Sequence, residues 1–301
     1  MQIDSFLKYI RYELNYSVHT VLSYSKDLSQ FVEFLSADKE TFDAASVTVS
    51  DVRAWVYSLN SSGFSVRSVR RKVQSLRAFY KFLLKRGVVA DSPVVDIPMA
   101  KLPQVLPVFV REKGMDQVLD SPFDETDFTE VRNMLMVAMF YETGIRRAEL
   151  ISLKNSDVNT DSGELKVHGK RNKDRIVPFG KELAGLIELY RKLRSEVAEG
   201  STEELFVTAA GRRVYPSLVY NVVTGVLSEV TQAKRSPHVL RHSFASAMLN
   251  NGAELNSVKE LLGHGSLAAT QVYTHITYSE LKNNYKHAHP RALKKRRVIW
   301  K

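Results

Sequence analysis

The sequence predicts a mainly α-helical protein of two domains: a compact all-helical N-terminal domain, and a larger helical domain carrying one small antiparallel β element. Three observations predict this. Apolar residues recur at helical spacing through most of the chain. A proline-rich stretch, DSPVVDIPMAKLPQVLPVFV, interrupts that period with Pro93, Pro98, Pro103 and Pro107. Beyond it, two short, partly alternating runs flank a Gly-Lys-Arg-Asn-Lys turn, the signature of a β-hairpin.

In chain order, periodic segments at residues 3–14, 17–35, 50–58 and 66–85 are separated by Gly, Asn, Asp and Ser clusters and give about four N-terminal helices. The predicted division is a helical domain at residues 1–90, a linker at 91–108 and a second domain at 109–301 with a C-terminal tail helix. Within the second domain a helix at 130–141 ends in the turn Glu142-Thr143-Gly144, and the hairpin runs at 163–168 and 175–179. Helices follow at HVLRHSFASAML, before Gly263 as a C-terminal cap, and after Ser266. The segment 278–289 is amphipathic through Leu281 and Tyr285 and packs either on its own core or on a neighbouring protomer.

Composition narrows the chemistry. The 301 residues include no cysteine, which excludes disulfides, thiolate zinc, iron–sulfur clusters and a cysteine nucleophile, and suits a cytoplasmic protein. The N-terminus has no signal-peptide core and the longest apolar stretch is too short to span a bilayer, so no membrane is expected. A net charge of +10 requires a partner of opposite sign, and nucleic acid is the first candidate. No acidic residue lies between Asp51 and Asp91. That window holds Arg67, Arg70, Arg71, Lys72 and Arg77 on a segment whose apolar residues Val69, Val73, Leu76, Phe79, Tyr80, Leu83 and Leu84 keep helical spacing, which leaves the basic residues as an exposed DNA-binding stripe. A second acid-free run follows Glu280 and ends in KKRRVIWK.

Six polar residues stand where a core does not need them: Arg146, Lys170, His238, Arg241, His264 and Tyr273. Taken singly, each has a structural explanation. A cation beside a helix end suits Arg146, a solvated turn suits Lys170, and a polar face shared at i, i+3 suits His238 and Arg241. His264 follows a helix-capping glycine, and Tyr273 is one of 13 tyrosines on a helical segment. A metal site at His238 and His242 lacks a glutamate between them and a third ligand, so His242 is taken as structural.

Taken together, GIRRAELISL, HGKRNKDRIVP, HVLRHSFASAML, LLGHGSLAATQVYTHI and KHAHPRAL follow in this order after the linker, behind SVHTVLSYSKDLSQFVEFL and VRRKVQSLRAFYKFLLKRG in the first domain. This series resembles the tyrosine recombinase (phage integrase) family, its Xer-type site-specific recombinases in particular, over nearly the whole chain. The resemblance implies a SAM-like helical DNA-binding domain followed by an α+β catalytic domain with a small antiparallel sheet. It assigns catalytic roles to Arg146, Lys170, His238, Arg241 and His264, and the nucleophile to Tyr273. Two departures stand out: Arg147 follows the first catalytic arginine where the family usually has a small or aliphatic residue, and Arg171 replaces a glycine of the hairpin turn, which makes Lys173 the fallback for Lys170. His275, near the nucleophile, has packing or catalysis open to it.

These residue types suit phosphoryl transfer. Guanidiniums at Arg146 and Arg241 grip non-bridging oxygens and stabilise the added charge of the transition state. Tyrosine ionises near pH of about 10, so Tyr273 needs nearby positive charge or a base, for which His238 is placed. Lys170 supplies a proton to the leaving 5′-oxygen, and His264 bonds the phosphate. The product is a 3′-phosphotyrosine that a second strand's hydroxyl reverses, so no cofactor, metal or ATP is implied.

The resemblance further implies double-stranded recombination-site DNA clamped between the two domains, a homo- or heterotetramer with a second Xer-type recombinase, terminal helices donated in trans, a septal DNA translocase as activator, and chromosome dimer resolution at cell division. A mobile-element integrase or inversion recombinase is the alternative within the family. A catalytically silent DNA-binding protein and a type IB topoisomerase are the alternatives outside it.

Overall fold

The computed structural model describes residues 2–35, 42–102, 108–169, 174–198, 202–263 and 278–294. The chain divides into two units, Met1–Val105 and Leu106–Lys301. In the first, α1 (Gln2–Lys8) widens into a π-type turn (Tyr9–Glu13) and is followed by α2 (Val18–Phe34), α3 (Val49–Ser61) and α4 (Val66–Lys85). Side-chain caps fix the helix starts: Ser17 accepts from the Thr20 amide, Ser65 from the Ser68 amide, and Thr48 and Asp51 form a reciprocal capping box. The periodic apolar positions meet in a core of Phe6, Phe31, Trp55, Phe79 and Tyr80, with Phe31 and Trp55 edge to face at 4.9 Å.

The first part of the expected linker is built into this unit. Val94 and Ile97 are buried in its core, and Arg77 donates to the carbonyls of Val94 at 3.3 Å and Ile97 at 3.0 Å. The prolines marked a break in helical period correctly, but the apolar residues between them dock back onto α4. Residues 103–107 lie outside the described residues.

The second unit is built around α6 (Phe128–Thr143), which is buried at every position from 131 to 143 except Asn133. A helix apolar all round belongs inside a domain. It is covered by α8 (Lys181–Val197), α9 (Pro216–Leu227) and α10 (Pro237–Asn250), with α5 (Glu112–Leu119) beside it. After α7 (Arg147–Ser152) comes an antiparallel sheet in the order β1 (Val158–Asn159), β2 (Glu164–His168), β3 (Asp174–Pro178). The hairpin of β2 and β3 was foreseen. The two-residue β1, too short to show alternation, was not.

The chain continues into α11 (Leu255–Leu262) and, beyond residues 264–277, α12 (Tyr278–Ala288). In this single chain α12 packs on its own domain, burying Leu281, Tyr285 and Ala288 against α10, α11 and β3. Among the described residues no helix is long and apolar enough to cross a membrane.

Candidate active site

Two left-handed glycines shape the site. Gly144 ends α6 at φ 60°, and a Cβ there would lie 2.5 Å from the ring of Phe244. Gly263 ends α11 at φ 64°, and a Cβ there would crowd the Arg175 guanidinium at 3.1 Å. The carbonyls beside these turns point inward and are taken by arginines from distant segments. Arg241, on α10, donates to Gly144 O and Leu262 O, both at 2.6 Å. Arg146, immediately before α7, donates to Gly263 O at 2.9 Å. Two arginines 95 positions apart in sequence thus meet on two successive carbonyls, directly ahead of His264 in the chain.

Glu149 binds the group together. It accepts from the Arg146 guanidinium at 2.8 Å and the Arg146 amide at 2.7 Å, and from Arg175 Nη1 and Nη2 at 3.0 and 2.9 Å. Arg175 also donates from Nε to Leu261 O at 2.7 Å. Burial alone would raise the Glu149 carboxyl, but the bonds from Arg175 and Arg146 hold it down to about 2, so it is a fixed negative charge. Two guanidiniums therefore bond one carboxylate, Arg241 lies within reach of its charge, and the four side chains carry a net +2. Burial, then the charge of Arg146, lowers Arg241 to about 10, which leaves it a cation at neutral pH.

His238 lies on the first turn of α10, one turn before Arg241. It is exposed, and partial desolvation followed by the charges of His242, Arg241, Arg147 and Lys234 lowers its pKa, so the ring is neutral and free to accept a proton near neutrality. Arg147 is exposed, whereas Arg146 is the one inside the cluster, as its spacing to Glu149 indicated. Lys170, His264 and Tyr273 lie outside the described residues, as do Arg171, Lys173 and His275.

Sequence reasoning missed Arg175 as part of this constellation and used Glu149 only as a spacing marker. The signal for Arg175 was in the hairpin register. Val167 and Arg175 pair directly across β2 and β3, so they face the same side, and Val167 is buried. An arginine on the inward face of a strand needs an acidic partner, and Glu149 is that partner.

The basic stripe of α4 requires a correction. Arg67 is exposed, and Arg71, though exposed, pairs with Asp27; the Lys72 side chain is buried, with its amine on Asp27 and Gln30 and over the Phe64 ring. Asp27, fully buried on α2, calls the lysine inward, so it is unavailable to a phosphate. Arg70 donates to Ala100 O, and Arg77 holds the segment after α4.

A helical domain that gathers three guanidiniums and one carboxylate at a net +2 suits a protein that handles an anionic centre, and the basic first unit fits a polyanionic substrate. Residues 109–280 match the phage integrase family and residues 3–87 its N-terminal SAM-like domain. The chain is 37% identical to tyrosine recombinase XerC of Chlorobaculum tepidum, over 96% of this chain and 94% of the relative. It is 37% identical to XerC of Listeria monocytogenes, over 96% and 97%, and 33% identical to XerD of Oceanobacillus iheyensis, over 96% and 98%. In fold it resembles the Tn1549 transposon integrase in complex with transposon right end DNA (TM-score 0.70, 18% identity, 95% and 98% covered) and XerH recombinase bound to difH substrate (0.67, 22%, 93% and 82%). The chain belongs to the phage integrase family, as a tyrosine recombinase of the Xer type that binds DNA and cuts and rejoins it site-specifically.

Proposed function

We propose that Tyr273 of this chain attacks the scissile phosphate of a chromosomal recombination site and that the reaction serves chromosome dimer resolution in the cytoplasm. The observation that carries the reading is the meeting of Arg146 and Arg241 on the carbonyls just before His264, beside the Glu149–Arg175 pair. Such a cluster attracts a phosphodiester and stabilises the charge that builds on its non-bridging oxygens as the tyrosine oxygen adds.

In this reading His238 takes the phenol proton, Lys170 gives a proton to the departing 5′-oxygen and His264 bonds a phosphate oxygen. One phosphorus–oxygen bond forms as another breaks. The phosphotyrosine therefore keeps the bond energy, and a 5′-hydroxyl from another strand reverses the step without ATP. The partner is double-stranded DNA held by a tetramer that includes a second Xer-type recombinase or further copies of this chain, with a septal DNA translocase as activator. The higher identity to relatives named XerC than to XerD supports the XerC-like position in such a pair.

The test uses a nicked suicide duplex carrying the source chromosome's dimer-resolution site. Wild type yields a covalent protein–DNA band on a denaturing gel and Tyr273→Phe yields none. A band from the Phe variant assigns the nucleophile elsewhere. Specific binding without a band, even with the partner recombinase added, favours a catalytically silent DNA-binding protein.

A further inference from the structure

We propose that His289 is a positioning residue for Arg241, bracing from the interior the two segments whose meeting sets that guanidinium. The inference rests on the reading of Arg241 as a phosphate-binding residue. Arg241 Nη1 is held at 2.6 Å on Gly144 O, and that bond joins the end of α6 to α10. His289, the residue that follows α12, touches both sides of it.

On the α6 side the contact is a hydrogen bond. The Gly144 amide takes Phe140 O and closes the helical ladder, which leaves the last carbonyls of α6 without helical donors. His289 Nε2 donates to one of them, Tyr141 O, at 3.2 Å. The tautomer is fixed from the other end of the ring. There Nδ1 accepts from the Arg291 amide at 3.3 Å, so the single proton of the neutral, buried imidazole sits on Nε2.

On the α10 side the contact is a stack. The His289 ring lies 5.5 Å from that of Phe244 at 30°, and Phe244 stands one turn after Arg241 on α10. The Phe244 ring in turn lies against Gly144, where a Cβ would come within 2.5 Å of it. Tyr285 stacks on His289 at 5.1 Å, and Tyr141 meets it edge to face at 5.3 Å.

Packing alone does not call for an imidazole here. His289 is 3% exposed, and a phenyl ring would fill the same stack without the cost of burying two ring nitrogens. What the imidazole adds is the N–H that fixes Tyr141 O, and with it the turn that presents Gly144 O to Arg241. Because the ring is buried, its influence on the site runs through these contacts.

The experiment compares single-turnover cleavage of the nicked duplex with cleavage of the same duplex carrying a methylphosphonate at the scissile position. A methyl group in place of one non-bridging oxygen makes the reacting centre neutral, so less negative charge builds there and a guanidinium contributes less. On the phosphodiester Arg241→Ala is expected to lose ~100-fold or more in rate. His289→Phe keeps a ring in the stack but has no donor for Tyr141 O, and is expected to lose about tenfold at unchanged DNA affinity. On the methylphosphonate Arg241→Ala recovers to within about tenfold of wild type and His289→Phe to within about twofold. His289→Gln, whose amide N–H stands in for Nε2–H, regains most of the phosphodiester rate. Phe244→Leu removes the ring on the α10 side and repeats the His289→Phe pattern, so the result does not depend on one variant folding. Equal loss on both substrates, or none on either, overturns the positioning role while leaving Arg241 in place. Failure of Arg241→Ala to recover overturns the phosphate-binding reading, and this inference with it.

Discussion

Arg175 grips Glu149 fork to fork, Nη1 on one carboxylate oxygen at 3.0 Å and Nη2 on the other at 2.9 Å, while Arg146 bonds the same two oxygens from the far side. Removing the negative charge leaves the guanidiniums of Arg146 and Arg175 unbalanced beside each other, with the charge of Arg241 nearby. Glu149→Gln keeps the shape but not the charge, and breaking a buried pair costs about 3 kcal/mol. The expected result is a lower melting temperature together with at least a tenfold (~1.4 kcal/mol) loss in cleavage rate, read on the suicide duplex. A variant that melts early yet cleaves at the wild-type rate would confine Glu149 to folding.

Acid reaches the C-terminal segment before it reaches this clamp. His289 is buried and neutral: Nε2 donates to Tyr141 O at 3.2 Å, Nδ1 accepts from the Arg291 amide at 3.3 Å, and the ring stacks on Tyr285 at 5.1 Å. Burial lowers its pKa from 6.5 to about 3. The unfolded chain therefore takes up a proton that the folded one refuses, and the stability this contributes is complete above 6.5 and lost as pH falls toward about 3. Glu149, depressed from 4.5 to about 2, contributes stability above 4.5 that is lost only below it. The His289 contribution reads out as a difference: relative to His289→Gln, the wild-type melting temperature should fall as pH drops from 6.5 to 4.5.

Glu142 has the opposite sign. It lies fully buried at the end of α6, beside a cavity of about 20 Å³ lined by Leu119, Phe123, Met134 and Arg291 among others. Burial raises its carboxyl to about 8 against the pull of Arg291, whose Nε stands 4.0 Å away and whose other nitrogens are taken by Asp116, Asp120 and Glu182. The folded state holds a proton there that the unfolded state gives up near 4.5, so stability is lost as pH rises from 4.5 toward about 8. Glu142→Gln should gain on wild type in melting temperature across that range and stay ahead above it. A constant difference at all pH values would mean that the carboxyl is ionised throughout.

Much of the fold was legible because it rests on local patterns. The helices at α2 and α4 begin where serines cap them, and the β2–β3 hairpin lies at its alternating runs. The motifs of the proposed site picked out Arg146 and Arg241, which meet on the Gly263 and Leu262 carbonyls. Arg175 and Glu149 were not read as members of it, because their roles come from which face of a strand or helix meets the core, a tertiary fact that linear spacing encodes only through register. The inward turn of Lys72 is of the same kind: helical spacing placed it at the edge of the buried face, and the choice was made by Asp27 on another helix. Val94 and Ile97 show the limit of proline as a boundary marker, since proline ends a helix without ending a domain.

That difference among the α4 cations can be measured. A side chain that neutralises a phosphate releases a counterion, so its loss lowers the slope of log affinity against log salt by about 1. Arg67 is exposed on the first turn of α4, and Arg67→Ala should reduce the slope by about that amount with little change in melting temperature. Lys72 is 3% exposed and paired with an aspartate that is fully buried. Lys72→Ala leaves Asp27 to Arg71 alone and should cost about 1–3 kcal/mol of stability while leaving the salt slope of the surviving folded protein unchanged. A drop in slope for Lys72→Ala at full stability would return the lysine to the DNA-contacting face of the helix.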